Sequence, residues 1–95
     1  MTTSIAYYNG GLVRDELGDN QGAIADYDQA IKIDSNNAPA YLSRGGIRAQ
    51  LGDKQEVIAD LQKAADLFQK QGNNEASQKV LELIKKIQGT PSSPQ

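Results

Sequence analysis

Two stretches of this chain decide its fold: AYYNGGLVRDELGDNQGAIADYDQA at residues 6–30 and AYLSRGGIRAQLGDKQEVIADLQKA at residues 40–64. When they are superposed at an offset of 34 residues, identical residues recur along the whole length. Self-similarity at a fixed period of this size is typical of a solenoid, in which each unit buries its apolar face against its neighbour. The identical pairs include Ala6/Ala40, Tyr7/Tyr41, Gly11/Gly45, Arg14/Arg48, Leu17/Leu51, Asp19/Asp53, Asp26/Asp60 and Ala30/Ala64.

The apolar residues follow a helical period. Ile24, Tyr27 and Ile31 form a one-sided stripe, and a similar stripe follows one period later. Gly18 and Gly52 fall just after apolar helix ends, where a left-handed residue closes a helix. We therefore predict an all-α fold with no strand and five helices, at residues 4–17, 21–33, 38–51, 54–70 and 74–88.

The domain organisation follows from these helices. We expect repeat 1 at residues 4–36 and repeat 2 at residues 37–71. Residues 72–88 then form a capping helix, because terminal repeats need a polar outer face and this segment has one. Residues 89–95, rich in Ser and Pro, are expected to be a disordered tail.

The spacing resembles that of the tetratricopeptide repeat, a helix–turn–helix unit of 34 residues. The resemblance covers residues 4–69 and implies a right-handed α-solenoid of antiparallel helix pairs. It also implies that the small residues Gly11 and Gly45 let paired helices approach closely. It further implies a protein–protein interaction module or scaffold rather than an enzyme. The matching positions are Tyr7, Gly11, Ala23, Tyr27 and Ala30 in repeat 1, and Tyr41, Gly45, Leu61 and Ala64 in repeat 2.

Members of that family bind extended peptides on the concave face of their first helices. The resemblance implies the same face here, with Tyr8, Leu12 and Leu42 as apolar anchors. One subclass clamps the C-terminal carboxylate of chaperones with cationic residues, but the clamp positions hold no Lys or Arg in this chain, so that activity is not expected. The alternative is that these side chains pack against a second copy or a neighbouring helix. The candidate groove residues are Tyr8, Asn9, Leu12, Glu16, Leu42, Ser43 and Gln50, and the cap is expected to continue the groove with Ala76, Ser77 and Val80.

Two arginines stand where the family usually has a large aromatic residue. Arg14 and Arg48 are each followed twelve residues later by an aspartate, Asp26 and Asp60. A charge at a half-buried position needs a partner. We therefore predict an Arg–Asp salt bridge within each repeat, with an anion-binding site as the alternative.

Composition argues against several functional classes. The chain has neither Cys nor His, which removes disulfides, thiolate metal sites and the commonest general base. We find no catalytic, cofactor-binding or metal-binding motif, and no membrane or signal segment, so an enzyme is not expected and a cytoplasmic location is the default. With a pI of about 4.9 and no basic stripe, nucleic acid is not an expected partner.

Charge is unevenly distributed along the chain. Residues 1–37 carry two basic and six acidic side chains, whereas residues 38–95 carry eight basic and six acidic ones. Ordinary solvated helix faces account for this charge distribution, but so does a dipolar module that stacks head to tail or prefers a basic partner on its N-terminal side. Two hypotheses result. The first is a module that binds a peptide or helix of an unknown protein. The alternative is a structural unit that self-associates as a homo-oligomer, or a fragment of a longer repeat array.

Overall fold

The computed structural model describes residues 3–89, and five α-helices account for most of them. They are α1 (Ser4–Glu16), α2 (Asn20–Ile33), α3 (Ala38–Leu51), α4 (Lys54–Lys70) and α5 (Asn74–Gly89). No strand occurs among residues 3–89. The predicted all-α class is confirmed, and the predicted helix boundaries agree to within one residue at each end. Gly89 was expected to open the tail but ends α5 instead, and residues 90–95 of that predicted tail lie outside the described part.

The repeated Leu-Gly-Asp tripeptide ends one helix and starts the next. Gly18 and Gly52 adopt φ angles of 80° and 85°, in the left-handed region that costs glycine little. The aspartates that follow are N-caps: Asp19 accepts a hydrogen bond from the Gly22 amide at 2.9 Å, and Asp53 accepts one from the Glu56 amide at 3.2 Å. Each repeat therefore turns back on itself within three residues.

Glycine sets the approach of the two helices in each pair. A Cβ on Gly11 of α1 would overlap the Tyr27 ring of α2, with the ring's Cδ1 only 2.7 Å away. A Cβ on Gly45 of α3 would lie 3.3 Å from Cδ2 of Leu61. The predicted close approach is thus present in both repeats. It is tighter in the first, where the ring of Tyr27 meets Gly11, than in the second, where the side chains of Asp60 and Leu61 meet Gly45.

Helix α5 packs along α4, and its backbone approaches no other helix closely. Its inner face is held by Val80 and Ile84 in the apolar core and by Ser77, whose Oγ donates to the Ala65 carbonyl at 2.9 Å. The expectation that Ser77 and Val80 continue the groove is therefore wrong. The reason is a shift of register: the N-caps Thr3 and Asn37 are 34 residues apart, but Asn73 follows 36 residues later, after the longer helix α4.

The molecule is elongated, with extents of 52 × 32 × 18 Å, as expected for helix pairs stacked along one axis. None of the helices in residues 3–89 is long and apolar enough to cross a membrane. The apolar interior consists of two clusters. The first contains Ala23, Tyr27, Ala30, Ala40 and Ile47, and the second contains Ala38, Val57, Leu61, Ala64, Ala65, Leu67, Phe68, Val80 and Ile84.

Candidate protein-binding groove

The predicted groove residues of α1 are only partly available to a ligand. Tyr8 is half-buried, and its ring lies 5.8 Å from the Tyr27 ring at an angle of 41°. Leu12 is exposed, as are Asn9 and Glu16 one turn away on either side. Tyr8 is thus part of the packing between α1 and α2 as well as of the surface. Leu12 is the freer apolar side chain of the two.

The predicted residues of α3 also differ in exposure. Leu42 and Ser43 are half-buried, and Leu42 packs against the second apolar cluster. Gln50 is exposed near the end of the helix. The structure therefore places the seven predicted residues on α1 and α3, and among them Leu42 lines an apolar depression.

The Tyr27 hydroxyl is the one buried side-chain polar atom of residues 3–89 that lacks a well-formed hydrogen bond. Burial raises the pKa of Tyr27, and the negative charge of Asp15 acts in the same direction, while Ser43 lies near enough to lower it. The phenol therefore holds its proton at neutral pH. Because it is enclosed beneath α1, it contributes to packing and not to a reactive site.

An apolar depression lies between α3 and α5, and we call it the α3–α5 cleft. It exists because α5 packs on α4 without closing against α3, so that the α4 side chains form a floor between them. The cleft has a volume of about 270 Å³, and its lining is almost entirely apolar. The lining side chains include Leu42, Gly46 and Ala49 from α3, Val57 and Leu61 from α4, and Leu83 and Ile87 from α5.

Sequence reasoning placed Leu42 in a groove but missed the α5 wall of this cleft. Leu83 is 43% exposed, although it belongs to the apolar face of α5. The sequence does carry an indication of this wall: Ala76, Leu83 and Ile87 have the same spacing as Ala40, Ile47 and Leu51 of α3. At one end the depression continues past Gly52 to Lys54, which places a cation at its mouth.

A cluster of ion pairs joins the two repeats. Arg44 donates to Asp60 through two nitrogens, at 2.7 and 3.0 Å, and to Asp28 of the preceding repeat at 2.8 Å. Arg48 also donates to Asp60, at 2.9 Å. Burial alone would lower the pKa of Arg44, but its hydrogen bonds to the two aspartates outweigh this and raise the pKa above its usual value. Arg44 therefore remains charged and ties repeat to repeat.

Both predicted salt bridges are present, although in different surroundings. Arg14 lies 3.0 Å from Asp26, but its side chain is 52% exposed, so the expected half-buried position is wrong for this arginine. Arg48 reaches Asp60, whose side chain is only 5% exposed. Carboxylates already pair with both guanidinium groups. These arginines therefore fit a structural role better than the binding of an external anion. Within residues 3–89 no group of three or more acidic, Cys or His side chains converges as a metal site would require.

Comparison with known proteins agrees with this architecture. A family model described as TPR repeat matches residues 11–52, and a second described as tetratricopeptide repeat matches residues 38–70. Comparison with curated protein sequences finds no match. Among solved structures, the chain is similar to one titled "Crystal structure of MamA protein", with a TM-score of 0.59 and 18% identity.

That similarity covers 98% of this chain and 62% of the other, so the present chain spans less than two thirds of its length. At this identity the likeness concerns the fold alone. The two family models together span residues 11–70, which include α2, α3, α4 and the last six residues of α1. The chain belongs to the tetratricopeptide repeat family.

Proposed function

We propose that this chain binds a segment of another protein along its first helices, with the α3–α5 cleft as the main anchor point. Tetratricopeptide repeats generally mediate protein–protein interaction or scaffolding. The observation that carries the proposal is the cleft itself, an apolar depression of about 270 Å³ that residues 3–89 leave uncovered. Sites that bind ligands are typically concave and apolar, with a few polar groups around them.

The expected ligand follows from the lining and the rim. An apolar side chain that enters the cleft loses its contact with water, which is worth about 1.5–3 kcal/mol for a residue of the size of Leu or Phe. Exposed Asn9 and Gln50 have amide groups that can bond a peptide backbone. Glu16 at one side and Lys54 at the other favour a segment with a basic residue toward α1 and an acidic one toward the cleft mouth.

A free C-terminus is not required in this account. The positions that carry cations in the carboxylate clamp of some family members hold Tyr8, Leu12, Ser43, Asn73 and Ser77 here. None of these side chains supplies a positive charge. Amidating the C-terminus of a bound peptide should therefore leave its affinity unchanged.

A steric block of the cleft tests the proposal. Gly46 lines the cleft, and a Cβ built on it meets no atom within 4 Å. Gly46→Leu should fill the cleft while favouring the helix, since Gly is about 0.8–1.0 kcal/mol worse than Ala in a helix interior. Loss of binding in this variant is then not caused by unfolding. Ala25→Leu adds bulk to an exposed position of α2, away from the cleft, and is the matched control.

The probe is a phage-displayed library of random peptides, selected on the immobilised full chain. Selected peptides should be rich in large apolar residues. They should bind Gly46→Leu at least about tenfold more weakly than wild type. Ala25→Leu should bind them normally. Peptides that bind Gly46→Leu as well as wild type, or a library that yields no binder, would contradict the proposal.

A further inference from the structure

The first helix of each unit carries the same apolar stripe, but the stripe is covered to different degrees. In each of these helices an Ala begins the stripe. One aliphatic residue follows seven positions after the Ala, and a second follows eleven positions after it. In α3, Ala40 and Ile47 are 0% and 1% exposed, because α2 packs over them, whereas Leu51 at the end of the stripe is 56% exposed. In α1, the equivalent residues Ala6, Val13 and Leu17 have no helix over them, and Val13 and Leu17 are 56% and 78% exposed. We call these three residues the outer stripe of α1.

A second copy of the chain cannot cover the outer stripe by repeating the contact between α2 and α3. Its own α2 is already covered by its own α3. The α2–α3 contact also depends on Arg44, which reaches back to Asp28 at 2.8 Å. The position equivalent to Arg44 in α1 is Gly10, which offers no such ion pair. The outer stripe is therefore suited to an apolar surface of another kind.

The α3–α5 cleft is a second apolar surface that residues 3–89 leave uncovered, and its charge is complementary. The stripe lies in residues 1–37, which carry a net charge of −4, whereas the cleft lies in residues 38–95, which carry +2. Glu16 precedes Leu17 of the stripe, and Lys54 stands at the cleft mouth. Both side chains are exposed, and neither forms an ion pair with another described residue.

We propose that the outer stripe of α1 docks into the α3–α5 cleft of a second copy of this chain, head to tail. The proposal rests on the proposed function, because it assigns an occupant to the same cleft. Two stripes facing each other would instead bring together two like-charged halves, which charge repulsion disfavours. Because the donor and acceptor surfaces differ, each docked copy leaves one stripe and one cleft free, and the assembly grows as an open chain.

Light scattering on the purified full chain tests this, between about 10 µM and about 1 mM, the range suited to a weak interface. The apparent mass of wild type should rise with concentration above the 10.2 kDa of one chain, without levelling at a dimer. Val13→Glu places a charge in the stripe, and Gly46→Leu fills the cleft. Each variant should therefore remain a single chain. Ile33→Glu changes an exposed apolar residue outside both surfaces and should behave as wild type. Circular dichroism shows whether each variant is folded.

Mixing the two defective variants gives the sharpest result. Val13→Glu keeps an intact cleft and Gly46→Leu keeps an intact stripe, so an equal mixture should form pairs of twice the single-chain mass and nothing larger. A wild type that stays at 10.2 kDa would overturn the proposal. So would association of either single variant at wild-type strength, since one of the two surfaces would then be unused.

The outcome is separable from the proposed function. Peptide selection repeated on the folded Val13→Glu chain examines the cleft without competition from self-association. Peptides that depend on the cleft, found together with a monomeric wild type, would overturn the head-to-tail proposal alone. Conversely, self-association with the expected mutational pattern but no selected peptide would overturn the proposed binding of other proteins.

Discussion

At the scale of single residues, Gly11 is a position where the fold tolerates little change. A Cβ there would overlap the Tyr27 ring, which is fully buried and has no room to move aside. Gly11→Ala should lower the free energy of unfolding by about 1–3 kcal/mol, the range for overpacking a filled core. Urea unfolding measures this. Gly46→Ala is the matched control and should be neutral or stabilising, because its new methyl group meets open space. Equal effects of the two substitutions would contradict the account of helix approach.

Tyr27 itself carries a second residue-scale prediction, since its buried hydroxyl lacks a well-formed hydrogen bond. Removing an unpaired buried polar group costs little or stabilises, so Tyr27→Phe should be as stable as wild type at pH 7, or more stable by about 1 kcal/mol. A loss of more than about 1 kcal/mol in urea would instead show that the hydroxyl has a partner, with Ser43 the nearest candidate.

The same phenol should make stability depend on alkaline pH. Burial raises the pKa of Tyr27 above its ordinary value of 10.0, so the folded state holds the proton more tightly than the unfolded state does. The associated stabilisation is complete below pH 10 and is lost as the pH rises through the folded pKa. Unfolding free energies measured from pH 8 to 11 should therefore fall above pH 10 in wild type. The unfolding free energy of Tyr27→Phe should fall less steeply with pH. Parallel curves for wild type and Tyr27→Phe would contradict the prediction.

At the scale of helices, Arg44 is the residue that couples the two repeats. It pairs with Asp28 of α2 and with Asp60 of α4, and Asp60 is only 5% exposed. Arg44→Met removes the bidentate partner of a buried carboxylate and should cost on the order of 3 kcal/mol of unfolding free energy. Arg14→Met removes an exposed pair and should cost about 1 kcal/mol or less. Urea unfolding of the two variants should thus differ clearly, and equal losses would show that the Asp60 pairing is no stronger than a surface one.

Comparison of the elements shows what a repeated sequence predicts well. The 34-residue period located the four helices of the two repeats, and identical offsets located the Arg14–Asp26 and Arg48–Asp60 bridges, because residues repeated in both units perform the same task twice. Arg44 escaped prediction since it has no counterpart in the first unit, where Gly10 takes its place. A comparison of repeats cannot identify a contact that exists only between them.

The groove was harder to predict because it depends on how helices are placed relative to each other. Ser77 and Val80 were projected onto the groove at a fixed spacing, but the longer α4 shifts the register of α5 and turns both residues into the core. The α3–α5 cleft exists because α5 follows α4 and leaves α3 open. Neither the placement of α5 nor the resulting gap is encoded in any single residue, so only Leu42 among the cleft residues was anticipated as a ligand anchor.

At the scale of the whole molecule, α5 decides whether two repeats can stand alone. Its Val80 and Ile84 cover the side of α4 that carries Ala65 and Phe68. A chain ending at Gly72 exposes that side, and large uncovered apolar patches lead to association or loss of structure. We expect this truncated chain to lose cooperative unfolding, which circular dichroism in increasing urea measures. We also expect it to precipitate under conditions in which the full chain stays in solution.

A chain ending at Gly89 is the matched control, because it shortens the C-terminus while keeping all of α5. It should unfold cooperatively at the same urea concentration as the full chain. The size of the difference reports what the cap contributes: burying each of Val80 and Ile84 is worth about 1.5–3 kcal/mol, a large share of the roughly 5–15 kcal/mol that holds a typical domain folded. If the chain ending at Gly72 remained as stable as the one ending at Gly89, then α5 would not be a cap. The α3–α5 cleft would then be a gap beside a dispensable helix.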